Sequence, residues 1–357
     1  MSGVESAGVT ESLITGDFQT PVGWDSGHLQ TIRSRVVRRR RDLDRYGSHR
    51  SVLVEVDDGT GDRLVVQVHR ARRTAGSAPV GGLVVLIHGL GGSVESDYMR
   101  AMTQGLLAAG FNVARVDLRG VGLSGQTSTS WYHAGRTEDL RAVLRGLAAQ
   151  PEAGGNPTGQ PRLAVVGFSL GGSMAIKLMG EPHEHLPIYA AVSVSAPLDL
   201  AVGSVYLHRM AFGMYERFIV SGLKKQSLAP GPGGQARVTE QERSAIVRAR
   251  SLADFDDALT APRNGWRDSA EYYAKNSSGP FLARIDLPTL VIHSVDDPMI
   301  PASPYRAIDW ESLEGKGFVQ RAITARGGHV GFHERGNPLP WYVGQAVTFL
   351  SAISRFT

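Results

Sequence analysis

"VVGFSLGGSMAIKL" (residues 165–178) sets Ser169 between Gly167 and Gly171. With 43 glycines in 357 residues, chance supplies a bare G-x-S-x-G about 0.4 times, so the pentapeptide decides little by itself. Its surroundings decide more. The apolar run "RLAVV" stops just before the motif and a helical pattern starts just after it. That is the strand–turn–helix setting in which a serine can be held as a nucleophile. So tight a turn leaves no room for side chains two residues either side of the serine, which accounts for the glycines. A helix starting at Leu170 also aims unsatisfied N–H groups toward the serine oxygen.

The same rhythm extends in both directions. "SVLVEV" (51–56) and "RLVVQVHR" (63–70) read as an antiparallel pair joined by "DDGTGD". "GLVVLIHG" (82–89), "FNVARVDLRG" (111–120), "RLAVVGFS" (162–169), "YAAVSVSAP" (189–197), "LPTLVIHSVDD" (287–297) and "GFVQRAITARGGH" (317–329) read as later strands. Between and after them "DYMRAMTQGLLAAG" (97–110), "RTEDLRAVLRGLAAQ" (136–150), "LGGSMAIKLMG" (170–180) and "PWYVGQAVTFLSAISRF" (340–356) carry helical spacing. "PEAGGNPTGQP" (151–161) is a loop by composition. Continuously apolar strands alternating with helices predict an α/β chain: a mostly parallel twisted sheet with helices on both faces.

Residues 198–285 break the alternation and have mostly helical character, as expected of a helical lid inserted into the core. The expected organisation is an N-terminal arm (1–50), a core (51–197 and 286–357) and the lid (198–285). Within the lid, Tyr206, Met210, Met214 and Phe218 fall four residues apart on one helical face, with Arg217 close to it and His208, Arg209 and Glu216 pointing away. Such a stripe reads as packing before it reads as an acyl-chain surface.

A lone serine needs a base and an orienting carboxylate. In a sheet of this kind they are expected at later strand ends, in the order Ser…Asp…His. "VIHSVDDPMIP" ends a strand with Asp296 and Asp297, and "ARGGHVGF" sets His329 behind two glycines. Asp297 with Pro301 gives the D-x-x-x-P spacing common at this acid in α/β-hydrolases, so Asp297 is preferred and Asp296 read as a neighbour whose side chain points elsewhere. The oxyanion donors expected are the backbone N–H groups of Leu170 and of Leu90, the latter in "HGLGGS" (88–93). His88 reads as a buttress of that loop, not a second base.

Other chemistries are disfavoured. There are no cysteines, which removes disulfides, thiolate metal sites and thiol catalysis. "GVGLSG" (120–125) satisfies G-x-G-x-x-G, but "QTSTSWYHAG" follows it instead of a helix, which argues against a dinucleotide. "HVGFH" pairs His329 with His333 around Gly331 and lacks the glutamate of a zinc helix; "HEH" (183–185) reads as an exposed loop. No cofactor and no metal are expected. The net charge of +4 conceals a dense run, "RSRVVRRRRDLDR" (33–45). It reads as a solvated arm, with peripheral contact to a lipid surface left open and nucleic acid not expected, since no accompanying motif supports it. No apolar run approaches the roughly 18–20 residues of a membrane span. The first residues lack a secretory pattern, so the expected location is cytoplasmic.

Taken in order, "GHLQTI", "HGLGGSVESDYMR", "DLRGVGLSG" leading to "YHAGRTEDL", "GFSLGGSMAIKLMGE", "VSAPLDL", "DDPMIP" and "GGHVGF" make the chain similar to more than a general α/β-hydrolase. It resembles the YheT-like esterase branch, related to eukaryotic ABHD-type lipases and plant EMB-type proteins, from residue 27 to about 332 and most weakly in the lid. Ser173 departs from the asparagine expected after the double glycine. The resemblance implies a cofactor-free carboxylic-ester hydrolase with Ser169, Asp297 and His329 as its triad, acting on a small acyl ester of short to medium chain. An acyltransferase using an alcohol acceptor and a non-catalytic ligand-binding protein of the same fold are the alternatives. Oligomeric state is not readable from the sequence.

Overall fold

In the computed structural model, the described residues are 18–37, 39–72, 82–154, 160–183 and 185–356. Expectations for the first seventeen residues, and parts of those for 33–45, 151–161 and 183–185, lie outside them. Eight strands form one sheet: β1 (Gly47–Glu55), β2 (Arg63–Ala71), β3 (Leu83–Ile87), β4 (Asn112–Val116), β5 (Leu163–Phe168), β6 (Ile188–Val194), β7 (Thr289–Ser294) and β8 (Val319–Thr324). Their spatial order is β1-β2-β4-β3-β5-β6-β7-β8. β1–β2 and β2–β4 pair antiparallel and every later pair is parallel. The sheet begins at Gly47, inside the segment expected to be arm.

Covering both faces explains the apolar strands. Along β3, Leu83, Val85 and Ile87 face one core and Val84 and Leu86 the other. The first core is closed by the helices α3 (Thr137–Ala148) and α4 (Leu170–Gly180), through Leu140, Val143, Leu147, Met174 and Leu178. The second is closed by α2 (Asp97–Ala108) and the C-terminal helix Trp341–Phe356, through Met99, Met102, Leu106, Val343, Phe349 and Leu350. Edge strand β1 is mostly exposed and carries His49 and Arg50 outward, which discourages pairing with another chain.

Ahead of the sheet, α1 (Gly27–Val36) starts at Ser26, whose side chain accepts from Leu29 N–H. Of the described arginines in the run, Arg35, Arg39, Arg40 and Arg45 are exposed, but not all are free. Arg41 is buried, with Nε 3.1 Å from Asp97 and Nη1 donating to Gln104. Arg33 stands over Trp24 and Arg35 over Phe218. Three of these cations are therefore anchored, Arg35 and Arg41 by partners from distant segments and Arg33 by nearby Trp24.

The glycine run after β4 is also structural. Gly120 and Gly122 have φ of 81° and 52°, and a Cβ on Gly122 would lie 2.3 Å from the Asp117 carboxylate. A short 3-10 turn, Gly122–Gln126, follows instead of an α-helix. Beside it Arg119, fully buried, donates to Asp139 through Nε and Nη2 (2.9 and 2.6 Å) and to Asp62 through Nη1 (3.1 Å). Removing one member of such a buried network strands the others. Arg119→Met is expected to cost about 3–5 kcal/mol of stability, measured as a lower unfolding midpoint in urea followed by circular dichroism.

Candidate active site

Ser169 sits at the C-terminal end of β5 with φ 51° and ψ −121°, a left-handed conformation that a non-glycine residue adopts only when its surroundings impose it. The surroundings are backbone. A Cβ on Gly167 would lie 2.1 Å from Gly171 O, and one on Gly171 would lie 2.4 Å from Ile87 O. The first turn of α4 is thus pressed onto the ends of β5 and β3, and Ser169 Oγ projects from the bend. Ser169 N–H donates to Val194 O at 2.8 Å, tying the bend to β6.

Two later loops continue from this oxygen. His329 Nε2 lies 3.0 Å from Ser169 Oγ, and His329 Nδ1 lies 2.9 Å from Asp297 Oδ2. Asp297, 1% exposed, uses its other oxygen to accept from Met299 and Ile300 N–H (2.8 and 2.9 Å). Its carboxylate is therefore held in plane toward the imidazole. Asp296 points away: Oδ1 accepts from Gly328 N–H at 2.9 Å. His333, the partner considered for zinc, forms an isolated antiparallel bridge with Pro340 and not a helix, and its N–H donates to Gln30 Oε1.

The loop after β3 supplies the remaining polar groups. Gly89 N–H donates to Tyr98 Oη at 3.0 Å and Gly91 N–H to Tyr132 Oη at 2.9 Å. Burial raises the pKa of both phenols, so they stay protonated near neutral pH. Leu90 N–H, between the two tethered amides, and Leu170 N–H, at the start of α4, donate to no other group among the described residues. His88 is fully buried. Its Nε2 accepts from Leu118 N–H (3.1 Å) and its Nδ1 lies 2.8 Å from Gly89 O. With burial lowering its pKa, it stays neutral and braces the loop. Nothing in the sequence marked Tyr98 and Tyr132 for this task, since neither adjoins the glycines it holds.

A cavity of about 560 Å³ opens onto Ser169, Leu90, Leu170 and His329. Its apolar wall includes Leu207, Met214, Phe218 and Ile219 from the segment between β6 and β7. That segment contains α5 (Leu200–Arg209), α6 (Met214–Ser227), α7 (Glu240–Arg248) and shorter helices. The single stripe expected there is not formed. Ala211 and Phe212 take φ of 48° and 54°, followed by Gly213 at 72°, and the chain turns before α6. Met214 and Phe218 face the Ser169 cavity, while Tyr206 and Met210 line a separate surface groove. Glu216 is buried: Oε1 accepts from Leu252 N–H and Oε2 lies 2.7 Å from His208 Nδ1. A second cavity of about 580 Å³, more polar and lined by Ser130, Gln226, Asp256 and Tyr273, shares Leu90 and Leu170 with the first.

This strand order, with Ser169, Asp297 and His329 on the loops after β5, β7 and β8, is that of an α/β hydrolase. The chain belongs to the alpha/beta hydrolase fold family, whose pattern matches residues 82–336, and within it to the YheT-like esterase branch. It is 32% identical over 336 residues to the putative esterase YheT of Escherichia coli, covering 93% of this chain and 92% of that one. It is 25% identical to a monoacylglycerol lipase of Saccharomyces cerevisiae across 75% of this chain and 58% of that relative's length. Among solved structures, the Pyrococcus furiosus esterase Pf2001 superposes with a TM-score of 0.56 at 19% identity, covering 88% of this chain and 93% of that one, and shares the fold. Among the described residues no helix is long and apolar enough to cross a membrane.

Asp256, in the wall of the second cavity, begins a π-helical turn (Asp256–Thr260) and accepts from Tyr273 Oη at 2.7 Å. Burial pushes its pKa from 3.8 up to about 7. The folded chain therefore holds this proton more tightly than the unfolded chain does. Its stabilising contribution is complete below pH 3.8 and is lost as pH rises through about 7. Asp256→Asn, which keeps an acceptor for Tyr273, is expected to remove that slope and to melt above the unsubstituted protein at pH 8. Paired thermal melts between pH 4 and pH 8 measure it.

Proposed function

We propose that this protein is a serine carboxylic-ester hydrolase acting on short- to medium-chain acyl esters. The observation that carries the reading is the continuous hydrogen-bond chain from Asp297 through His329 to Ser169 Oγ, directed into an apolar-walled cavity. In this reading Ser169 Oγ attacks the ester carbonyl while His329 Nε2 takes its proton. Asp297 holds the Nδ1–H tautomer and stabilises the imidazolium that forms. The oxyanion is received by Leu90 and Leu170 N–H, which cost no reorganisation at the moment of attack because their neighbours are already tethered. His329 returns the proton to the leaving alcohol, and water then attacks the acyl-enzyme with His329 again as base.

The helices between β6 and β7 serve as the lid, with the acyl chain along Leu207, Met214, Phe218 and Ile219. A cavity of about 560 Å³ lies in the range of roughly 300–1,000 Å³ that holds small-molecule ligands. Names of relatives support this class: one is a monoacylglycerol lipase and another a medium-chain fatty acid ethyl ester synthase/esterase.

The test is a p-nitrophenyl ester panel from acetate to palmitate with point variants. Ser169→Ala is expected to lower kcat by at least about 10³-fold, and Asp297→Asn by about 10⁴-fold. Asp296→Asn, which keeps an acceptor for Gly328 N–H, should lose less than about tenfold, since it touches the imidazole only through the loop. Hydrolysis undiminished in Ser169→Ala would falsify the mechanism. Absence of turnover, together with no fluorophosphonate labelling of Ser169, would favour the ligand-binding alternative.

A further inference from the structure

We propose that α1 is a working part of the active site and that Thr31 is the positioning residue that sets His329 against Ser169; this rests on the triad reading above. The His329 loop has little internal structure to define it. Gly327, Gly328, Val330 and Phe332 have φ of 158°, 62°, 53° and 46°, and a left-handed β-branched residue such as Val330 is sustained only by strong outside constraint.

The constraint is a set of side-chain acceptors, one for each of several loop amides. Gly328 N–H donates to Asp296 Oδ1 (2.9 Å), His329 N–H to Thr31 Oγ1 (2.8 Å), Val330 N–H to Ser195 Oγ (3.2 Å) and His333 N–H to Gln30 Oε1 (2.6 Å). Among the described residues from Gly327 to His333, only Phe332 N–H bonds within that stretch, to Gly327 O. Two of the four outside acceptors come from consecutive residues of α1, and one of them holds the histidine's own amide.

Thr31 is built for this contact. Its hydroxyl donates to Gly27 O at 2.7 Å, which turns an oxygen lone pair toward His329 N–H. The helix cannot slide to relieve a mismatch. A Cβ on Gly27 would lie 1.8 Å from Asp296 O, one on Gly328 would lie 2.3 Å from Gly27 O, and one on Gly331 would lie 2.5 Å from Gln30 O. Backbone therefore touches backbone along the whole seam. Gln30, fully buried, completes the lock by donating Nε2 to Trp24 O and His333 O. On its other side α1 meets the inserted helices, His28 Nδ1 lying 2.8 Å from Tyr215 Oη. The "GHLQTI" segment thus supplies the floor under the imidazole, and its Gly27, Gln30 and Thr31 each have a distinct part in it.

The expected consequence is kinetic. A displacement of about 1 Å between reacting groups costs about 10²-fold, whereas the substrate cavity is only bordered by Thr31. Thr31→Val, isosteric but without the hydroxyl, should lower kcat on p-nitrophenyl butyrate about 10–100-fold and leave KM nearly unchanged. Thr31→Ser should recover most of the loss. Gln30→Met, acting at His333, should lower kcat in the same sense, and Thr31→Ala replaces the valine variant should that one fold poorly. Rates are taken per folded molecule, with thermal melts for each variant. Ester turnover in the unsubstituted protein that is abolished by Ser169→Ala secures the triad reading first. Given that, a folded Thr31→Val with unsubstituted kcat, or a serine variant as impaired as the valine one, overturns the role assigned to Thr31 and leaves the triad standing.

Discussion

The site depends on one close approach of backbone to backbone. Gly171, in the first turn of α4, lies so near the end of β3 that a Cβ there would sit 2.4 Å from Ile87 O and 2.6 Å from His88 O. That contact sets two distances together. It fixes how far Ser169 stands above the sheet, and how far Leu170 N–H lies from Leu90 N–H, because the loop carrying Leu90 leaves β3 at that point. A Cβ on Gly89 would in turn lie 2.9 Å from Ser169 Cβ. The left-handed serine is the strained member of this assembly, and the buried sheet beneath it maintains the strain.

Chemical reach comes from loops held by polar caps instead of by regular secondary structure. Tyr98 and Tyr132 restrain the amides either side of Leu90. Asp297 is aimed by two amides of its own loop, and Ser294 Oγ donates to Gly328 O, linking the end of β7 to the histidine loop. Short polar ties of this kind fix a loop without burying bulk, so the surface above the sheet stays open to a ligand.

Much of this was legible because it is local. Continuous apolar runs mark strands covered on both faces, and the glycines around Ser169 mark a turn that only glycine permits. Asp297 and His329 fall at strand ends, where parallel topology brings loops together. The rest was illegible because it is made by tertiary contact. Thr31 and Ser195 are ordinary residues until a distant loop amide reaches them. Arg41 reads as one cation in a basic run until Asp97 and Gln104 close over it. The stripe from Tyr206 to Phe218 failed because periodicity assumes an unbroken helix, and three consecutive left-handed residues from Ala211 to Gly213 end that assumption.

That break is also what shapes the space above Ser169. Had α5 continued straight, Met214 and Phe218 would extend the face that carries Tyr206 and Met210, which lies against the separate surface groove. The turn at residues 211–213 redirects α6, so that Met214, Phe218 and Ile219 form one side of the Ser169 cavity, while Leu223, Gln226 and Ser227 further along the same helix line the polar cavity. One helix therefore borders both spaces, and Leu90 and Leu170 line both as well. The two residues whose backbone N–H groups lie next to Ser169 thus line both a strongly apolar volume and a more polar one. The two spaces beside Ser169 therefore differ in chemistry, a difference to which both the inserted helices and the core segment carrying Ser130 and His133 contribute.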